Sequence, residues 1–347
     1  MMQKVDIAVV GATTLVGEAI LDLLAARKFP AARVYALEAE TDGEQDVDFG
    51  SKTLDVELLA DFDFSAVQIV LFAAGEDVAA SYVPKALEAG CIVIDDSACF
   101  RFEDDVPLVV AEVNPKAIAA ARQRCIIANP GSTVSQMLAV LKPLHDAATL
   151  ARINVVTYQS VSGSGREGVS ELASQTARLL NARPVETGVY PRQIAFNLLP
   201  QIGAFQENGY TWEEMKMVLE TRKVMGLPDL PVNPTAVRVP VFFGHALALH
   251  VELVRKLTAA EATALLKDVA GVVLLDERVD GGYATPVTEA VNADSVYVSR
   301  IREDISHASG LDLWVVADNV RKGAALNAVQ IAERVVRDYQ QDWLSGN

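Results

Sequence analysis

The chain has 347 residues, enough for two domains and for burying roughly 75% of the surface its unfolded form exposes. Its 51% hydrophobic and 22% charged content is that of a globular protein and excludes a disordered, collagen-like or coiled-coil chain. A net charge of −16, from 46 acidic against 30 basic residues, repels phosphate backbones and anionic lipid, so neither nucleic acid nor a membrane surface is an expected partner.

Three cysteines, Cys91, Cys99 and Cys125, stand outside C-x-x-C spacing. Their odd number argues against a disulfide framework, and their spacing against a zinc ribbon, so no metal site is expected and a reducing, cytoplasmic setting is. The N-terminal stretch MMQKVDIAVVGATT has an apolar run too short for a signal peptide. No run approaches the ~18 apolar residues of a membrane span.

In chain order, Val5 to Val10 is short, β-branched and apolar, the pattern of a buried parallel strand. Gly11 to Gly17 turns the chain, and Leu15, Val16, Ala19, Ile20, Leu23 and Leu24 then trace a helix face. Strands follow at Arg33–Leu37, Val67–Phe72 and Cys91–Ile94, with a helix from Gly75 to about Ala89. Asp42 to Gly50 is acidic and unpatterned, which predicts an exposed loop. This β/α alternation predicts a Rossmann-like, doubly wound parallel-sheet domain. Beyond Asn129-Pro130-Gly131, helices are predicted at 131–146, 170–181 and 212–225. Strands are predicted at 152–161, 237–241, 246–254, 272–275, 296–302 and 311–317. Without regular alternation, this half is expected to be an α+β domain. A last helix, 324–339, returns to the first. The expected division is therefore 1–128 with 318–347 as the dinucleotide-binding domain, and 129–317 as the substrate-binding and dimerisation domain.

A glycine-bearing turn between a first strand and a helix is where main-chain N–H groups and the helix dipole hold a dinucleotide pyrophosphate. Gly11, Thr13, Thr14, Leu15, Val16 and Gly17 make up that turn, with Thr14 where a middle glycine would let phosphate approach. Glu38, 21 residues beyond Gly17, can accept the ribose hydroxyls of NAD and repels the 2′-phosphate of NADP. If a dinucleotide binds, NAD is favoured over NADP.

An ordered set of segments over nearly the whole chain resembles the aspartate-semialdehyde dehydrogenase family. They are VVGATTLVG (9–17), DDSACFR (95–101), VPLVVAEVN (106–114), IIANPGSTVSQ (126–136), YQSVSGSG (158–165), NLLPQIGAF (197–205) with EEMK (213–216), ET (220–221) and RVPVFFGH (238–245), and DNVRKGAALNAVQIAE (318–333). The family's reaction is NADPH-dependent reductive dephosphorylation of aspartyl phosphate through a thioacyl enzyme. The resemblance assigns phosphate to Arg101 with Lys216, the substrate amino group to Glu213, and the α-carboxylate to Arg238. It makes His245 the acid/base, has Gln159 orient the acyl group, and sets Ser162, Gly163 and Asn319 near the nicotinamide. It also implies a homodimer.

One departure carries the functional reading. The family nucleophile is the cysteine of N-P-x-C-S-T, and the aligned run is Asn129-Pro130-Gly131-Ser132-Thr133, with Ser132 at the nucleophile position. A hydroxyl ionises many units above a thiol and needs full general-base activation. This pattern is similar to the Usg subgroup, which lacks the cysteine. The expectation is a pseudoenzyme that binds a small anionic amino-acid-like ligand or a partner. Two alternatives stand beside it: an NAD(P)-dependent oxidoreductase acting on an aldehyde or acyl phosphate, and a hydrolase using Ser132 with His245.

Overall fold

A computed structural model describes residues 4–339, apart from 41, 42 and 44. The chain divides into two compact units, Met1–Gly131 with Ala324–Asn347, and Ser132–Gly323.

Unit one is a Rossmann-like layered α/β fold. Its strands are β1 (Val5–Val10), β2 (Ala31–Glu38), β3 (Asp46–Phe49), β4 (Lys52–Leu58), β5 (Ile69–Phe72), β6 (Ile92–Asp95) and β7 (Ile126–Ala128). They form one sheet in the order β3-β4-β2-β1-β5-β6-β7, parallel throughout except for the β3–β4 pair. The central strands are apolar on both faces because helices cover both. Helices α1 (Leu15–Ala26) and α2 (Glu76–Glu88) are the crossovers, and α7 (Leu326–Tyr339) supplies Val329, Ile331, Ala332, Val335 and Val336 to the same core as Ile7, Val9 and Ile20. A two-point Arg27–Glu333 ion pair, at 2.7 and 2.8 Å, ties α1 to α7.

Unit two holds a six-stranded mixed sheet in the order β11-β12-β13-β10-β8-β9. Its strands are β8 (Leu150–Gln159), β9 (Val232–Arg238), β10 (His245–Leu253), β11 (Val272–Leu274), β12 (Val296–Glu303) and β13 (Gly310–Ala317). Helix α3 (Ser132–Ala148) packs on β8, β10, β12 and β13, and touches α5 (Trp212–Met225) and α6 (Ala259–Lys267); α4 is Gly165–Leu180.

Three local expectations are corrected. The loop expected at 42–50 contains β3, which pairs antiparallel with β4 from Asp46↔Asp55 to Phe49↔Lys52. Val47 and Phe49 point to the core between outward acids, a period-2 pattern that the acidic composition obscured. Residues 42 and 44 of that stretch, and 340–347 of the C-terminal segment, lie outside the described residues. The strand expected at 237–241 is β9, which ends at Arg238. β9 starts earlier, at Val232, and contains Pro234, which is tolerated because β9 is an edge strand. Helix α6 was not expected; a Thr258–Glu261 capping box starts it.

Candidate active site

The topology of unit two gathers residues far apart in sequence at one end of its sheet. Gln159 ends β8 and pairs in register with Arg238 at the end of the parallel strand β9. The antiparallel strand β10 begins there with His245, opposite Ala317 at the end of β13. Asn319 follows two residues later. Helix α5 brings Glu213 in its first turn and Lys216 at the start of its second. Its start is pinned by a Thr211–Glu214 capping box, and Glu214 also accepts the Ala236 N–H of β9 at 2.9 Å.

These groups bond to one another. Glu213 Oε1 accepts from Gln159 Nε2 at 3.1 Å, and its Oε2 lies 2.9 Å from Lys216 Nζ. Arg238 Nη1 donates to the Ser160 carbonyl at 2.7 Å. A Cβ at Gly163 would stand 2.7 Å from that guanidinium and 3.4 Å from the His245 ring, so a larger residue here would displace Arg238 from its bond to Ser160. Asn319 Oδ1 accepts from Ser160 Oγ, Ser162 Oγ and Gly244 N–H, each at 3.1 Å. Ser160 thus joins Ser162 and Asn319 to His245. It had no assigned role in the sequence, although it sits inside a quoted motif as a small polar residue at a strand end.

Burial decides the charges. His245 is buried, and desolvation, with the Arg238 cation second, lowers its pKa to about 3 against the opposing pull of Glu213 and the Gly244 carbonyl. Burial alone would raise Glu213, but the Lys216 charge and hydrogen bond, the Gln159 bond and Arg238 outweigh it and hold the carboxyl at about 2. Arg238 is lowered by burial, while Tyr190 and Glu213 favour its charge. The cluster therefore pairs Glu213 with Lys216 and sets the Arg238 charge beside a neutral imidazole. Such a set can hold a small ligand carrying a carboxylate and an acceptor oxygen.

Ser132 opens α3, which packs on the strands carrying Gln159 and His245 and on the helix carrying Glu213. A side chain at Gly323 would come within 2.4 Å of the Ser132 Cβ. One turn later, Gln136 is fully buried, and neither of its amide atoms has a partner among the described residues. Sequence patterning gave no role to this position.

The remaining predicted residues belong to unit one. Arg101 is buried after β6, with Nη2 on the Asp96 carbonyl at 2.6 Å. In the β1–α1 turn, Thr14 caps α1. Its hydroxyl accepts from Gly17 N at 3.0 Å and contacts the Gly11 and Ala73 carbonyls. A Cβ at Gly17 would strike the Gly11 carbonyl at 2.0 Å, so the close turn–helix packing of a dinucleotide fold is built in. Glu38 Oε1 accepts both Thr13 N–H and Thr13 Oγ1–H at 2.6 Å, which fixes the carboxylate against the turn. Cys91 is pushed up to about 12 by burial, and burial also raises Cys99 and Cys125. Among the described residues no cluster of His, Cys, Asp and Glu could hold a metal ion, and no helix is long and apolar enough to cross a membrane.

Residues 6–121 match the semialdehyde dehydrogenase NAD binding domain, and residues 141–322 the semialdehyde dehydrogenase dimerisation domain. The chain is 51% identical over 339 residues to aspartate-semialdehyde dehydrogenases of Shewanella sp. (strain DB6705) and Legionella pneumophila, covering 98% of this chain and 100% and 98% of theirs. It superposes with a TM-score of 0.95 on the crystal structure of aspartate semialdehyde dehydrogenase II from Vibrio cholerae complexed with ASA. That protein is 51% identical, with 97% of this chain and 99% of that one covered.

Proposed function

As the chain belongs to the aspartate-semialdehyde dehydrogenase family, we propose that it binds a small anionic amino-acid-like ligand of the aspartate-semialdehyde class without running the family's dehydrogenase reaction. The observation that carries this reading is Ser132 at the head of α3, together with the absence of a poised thiol elsewhere. All three cysteines lie in unit one, and burial raises the pKa of each. Thioacyl chemistry needs a thiolate. A helix N-terminus stabilises an anion by at most ~2 kcal/mol, or about one and a half pKa units, far short of the gap between a hydroxyl and a thiol.

The ligand-side groups support binding. Arg238 offers a planar fork for a carboxylate, Glu213 can accept from an ammonium group, and Lys216 carries a second positive charge beside them. Gln159 joins them in the ligand set that the family resemblance implies. The protein is a homodimer in this reading, paired through the region that matches the dimerisation domain.

The β1–α1 turn suits a dinucleotide, whose phosphate the first N–H groups of α1, at Leu15 and Val16, would meet. Glu38 would take the ribose hydroxyls, and its carboxylate opposes a 2′-phosphate, so NAD is preferred to NADP. When bound, the nicotinamide supplies hydride exchange.

The test is NAD- and NADP-linked turnover of aspartate semialdehyde with phosphate, alongside calorimetric titration with aspartate semialdehyde and an aspartyl-phosphate analogue. Ligand binding without turnover is expected. Robust turnover by the unmodified protein would restore the dehydrogenase reading.

A further inference from the structure

Two groups of Ser160 meet His245 at Nδ1, while the Gly244 carbonyl also acts on the ring. Ser160 main-chain N–H donates to His245 Nδ1 at 3.2 Å, and Ser160 Oγ lies 3.0 Å from the same atom. A main-chain N–H can donate but never accept. Nδ1 must therefore present its lone pair, and the single proton of the neutral ring sits on Nε2. The hydroxyl protons do not alter this. If Ser160 Oγ–H points to Nδ1, Ser162 Oγ, 3.0 Å away, is free to donate to Ser160 or to Asn319. If it points to Asn319 Oδ1 instead, the main-chain donor still occupies Nδ1.

From this geometry we infer that Ser160 is a positioning residue that locks His245 as its Nε2–H tautomer. The ring then acts as a neutral hydrogen-bond donor to a ligand oxygen rather than as a general base. Cε1 and Nε2 are the ring atoms nearest Gly163, on the side where the Arg238 guanidinium also lies. Two donors, imidazole Nε2–H and guanidinium, thus serve one acceptor-bearing ligand. No proton is transferred: a neutral imidazole that gave up Nε2–H would become an imidazolate, so the ring polarises the bound oxygen and keeps its proton. A neutral imidazole used as an electrophile in this way is established chemistry in other enzymes.

The same tautomer leaves Nε2 without the lone pair needed to deprotonate Ser132, which removes the basis for a Ser132–His245 hydrolase. It also separates this chain from the acid/base histidine that the family resemblance implied. The inference rests on the proposed ligand pocket only for what the donor serves; the tautomer stands on the hydrogen bonds alone.

Nitrogen-15 NMR of the histidine rings in the full-length labelled protein tests it, recorded at neutral pH without ligand and assigned with His245→Asn. The expected spectrum shows His245 with an unprotonated Nδ1 and a protonated Nε2. In Ser160→Ala the main-chain donor remains, so the tautomer persists while the Nδ1 signal shifts towards that of a singly bonded nitrogen. A protonated Nδ1 in the wild type, or a doubly protonated ring, would overturn the inference. An unmoved Nδ1 signal in Ser160→Ala would overturn the part assigned to the hydroxyl. Because no turnover is read, presence or absence of dehydrogenase activity leaves these outcomes unchanged.

Discussion

Replacing His245 by Asn should flatten the acid limb of the protein's stability. The ring's pKa falls from 6.5 to about 3 on folding, chiefly through burial and then through the Arg238 charge. Between those values the unfolded chain binds a proton that the folded chain refuses. Stability from this group is therefore fully present above pH 6.5 and is lost as pH falls towards 3. At 1.36 kcal/mol per unit, the whole shift corresponds to roughly 5 kcal/mol, of which about 2 kcal/mol is lost between pH 8 and pH 5. Asn is the chosen substitute because its Oδ1 can accept the Ser160 N–H in place of Nδ1, so the hydrogen-bond network survives without a titrating group. Urea unfolding of both proteins at pH 8 and pH 5, at equal concentration, gives the double difference, in which His145, His250 and His307 cancel. The wild type should lose about 2 kcal/mol more than the variant. Equal losses would show that His245 titrates as an exposed histidine does and would refute the electrostatic account of the pocket.

Ser132→Cys should create a thiol that iodoacetamide modifies near neutral pH faster than Cys91, whose pKa is pushed up to about 12; mass spectrometry locates the adduct. Gly163→Ala should destabilise unit two by about 1–3 kcal/mol in urea unfolding, because its Cβ would meet Arg238 Nη1 at 2.7 Å. Its φ is not positive, so the cost is steric, and ligand affinity should fall with it. Glu38→Ser should raise NADP affinity more than NAD affinity in calorimetric titration, by removing the carboxylate fixed at 2.6 Å from the Thr13 N–H. Tight NADP binding by the unmodified protein would sink that assignment.

Sequence alone was enough for whatever depends on local periodicity. The apolar runs of β1, β5 and β6 and the face of α7 could be read because strands buried on both sides and amphipathic helices leave one-dimensional patterns. The ordered motifs likewise marked Gln159, Glu213, Lys216, Arg238, His245 and Asn319 before any geometry was known. What they could not convey was the state of those groups. Two facts were set by tertiary structure at one sheet end: that Arg238 sits beside His245, and that Glu213, already paired with Lys216 on its own helix, also accepts from Gln159. Thr14, read from its place in the turn, also caps α1 and bonds to a carbonyl 59 residues away, which no local pattern shows. β3 stayed hidden because acidic residues flank its two apolar positions, Val47 and Phe49, although its hairpin with β4 is local and closes at Gly50 and Ser51. The protonation of His245 depends on desolvation and on a main-chain N–H that no motif encodes, since solvent exclusion and hydrogen-bond direction exist only once the chain has closed around the ring.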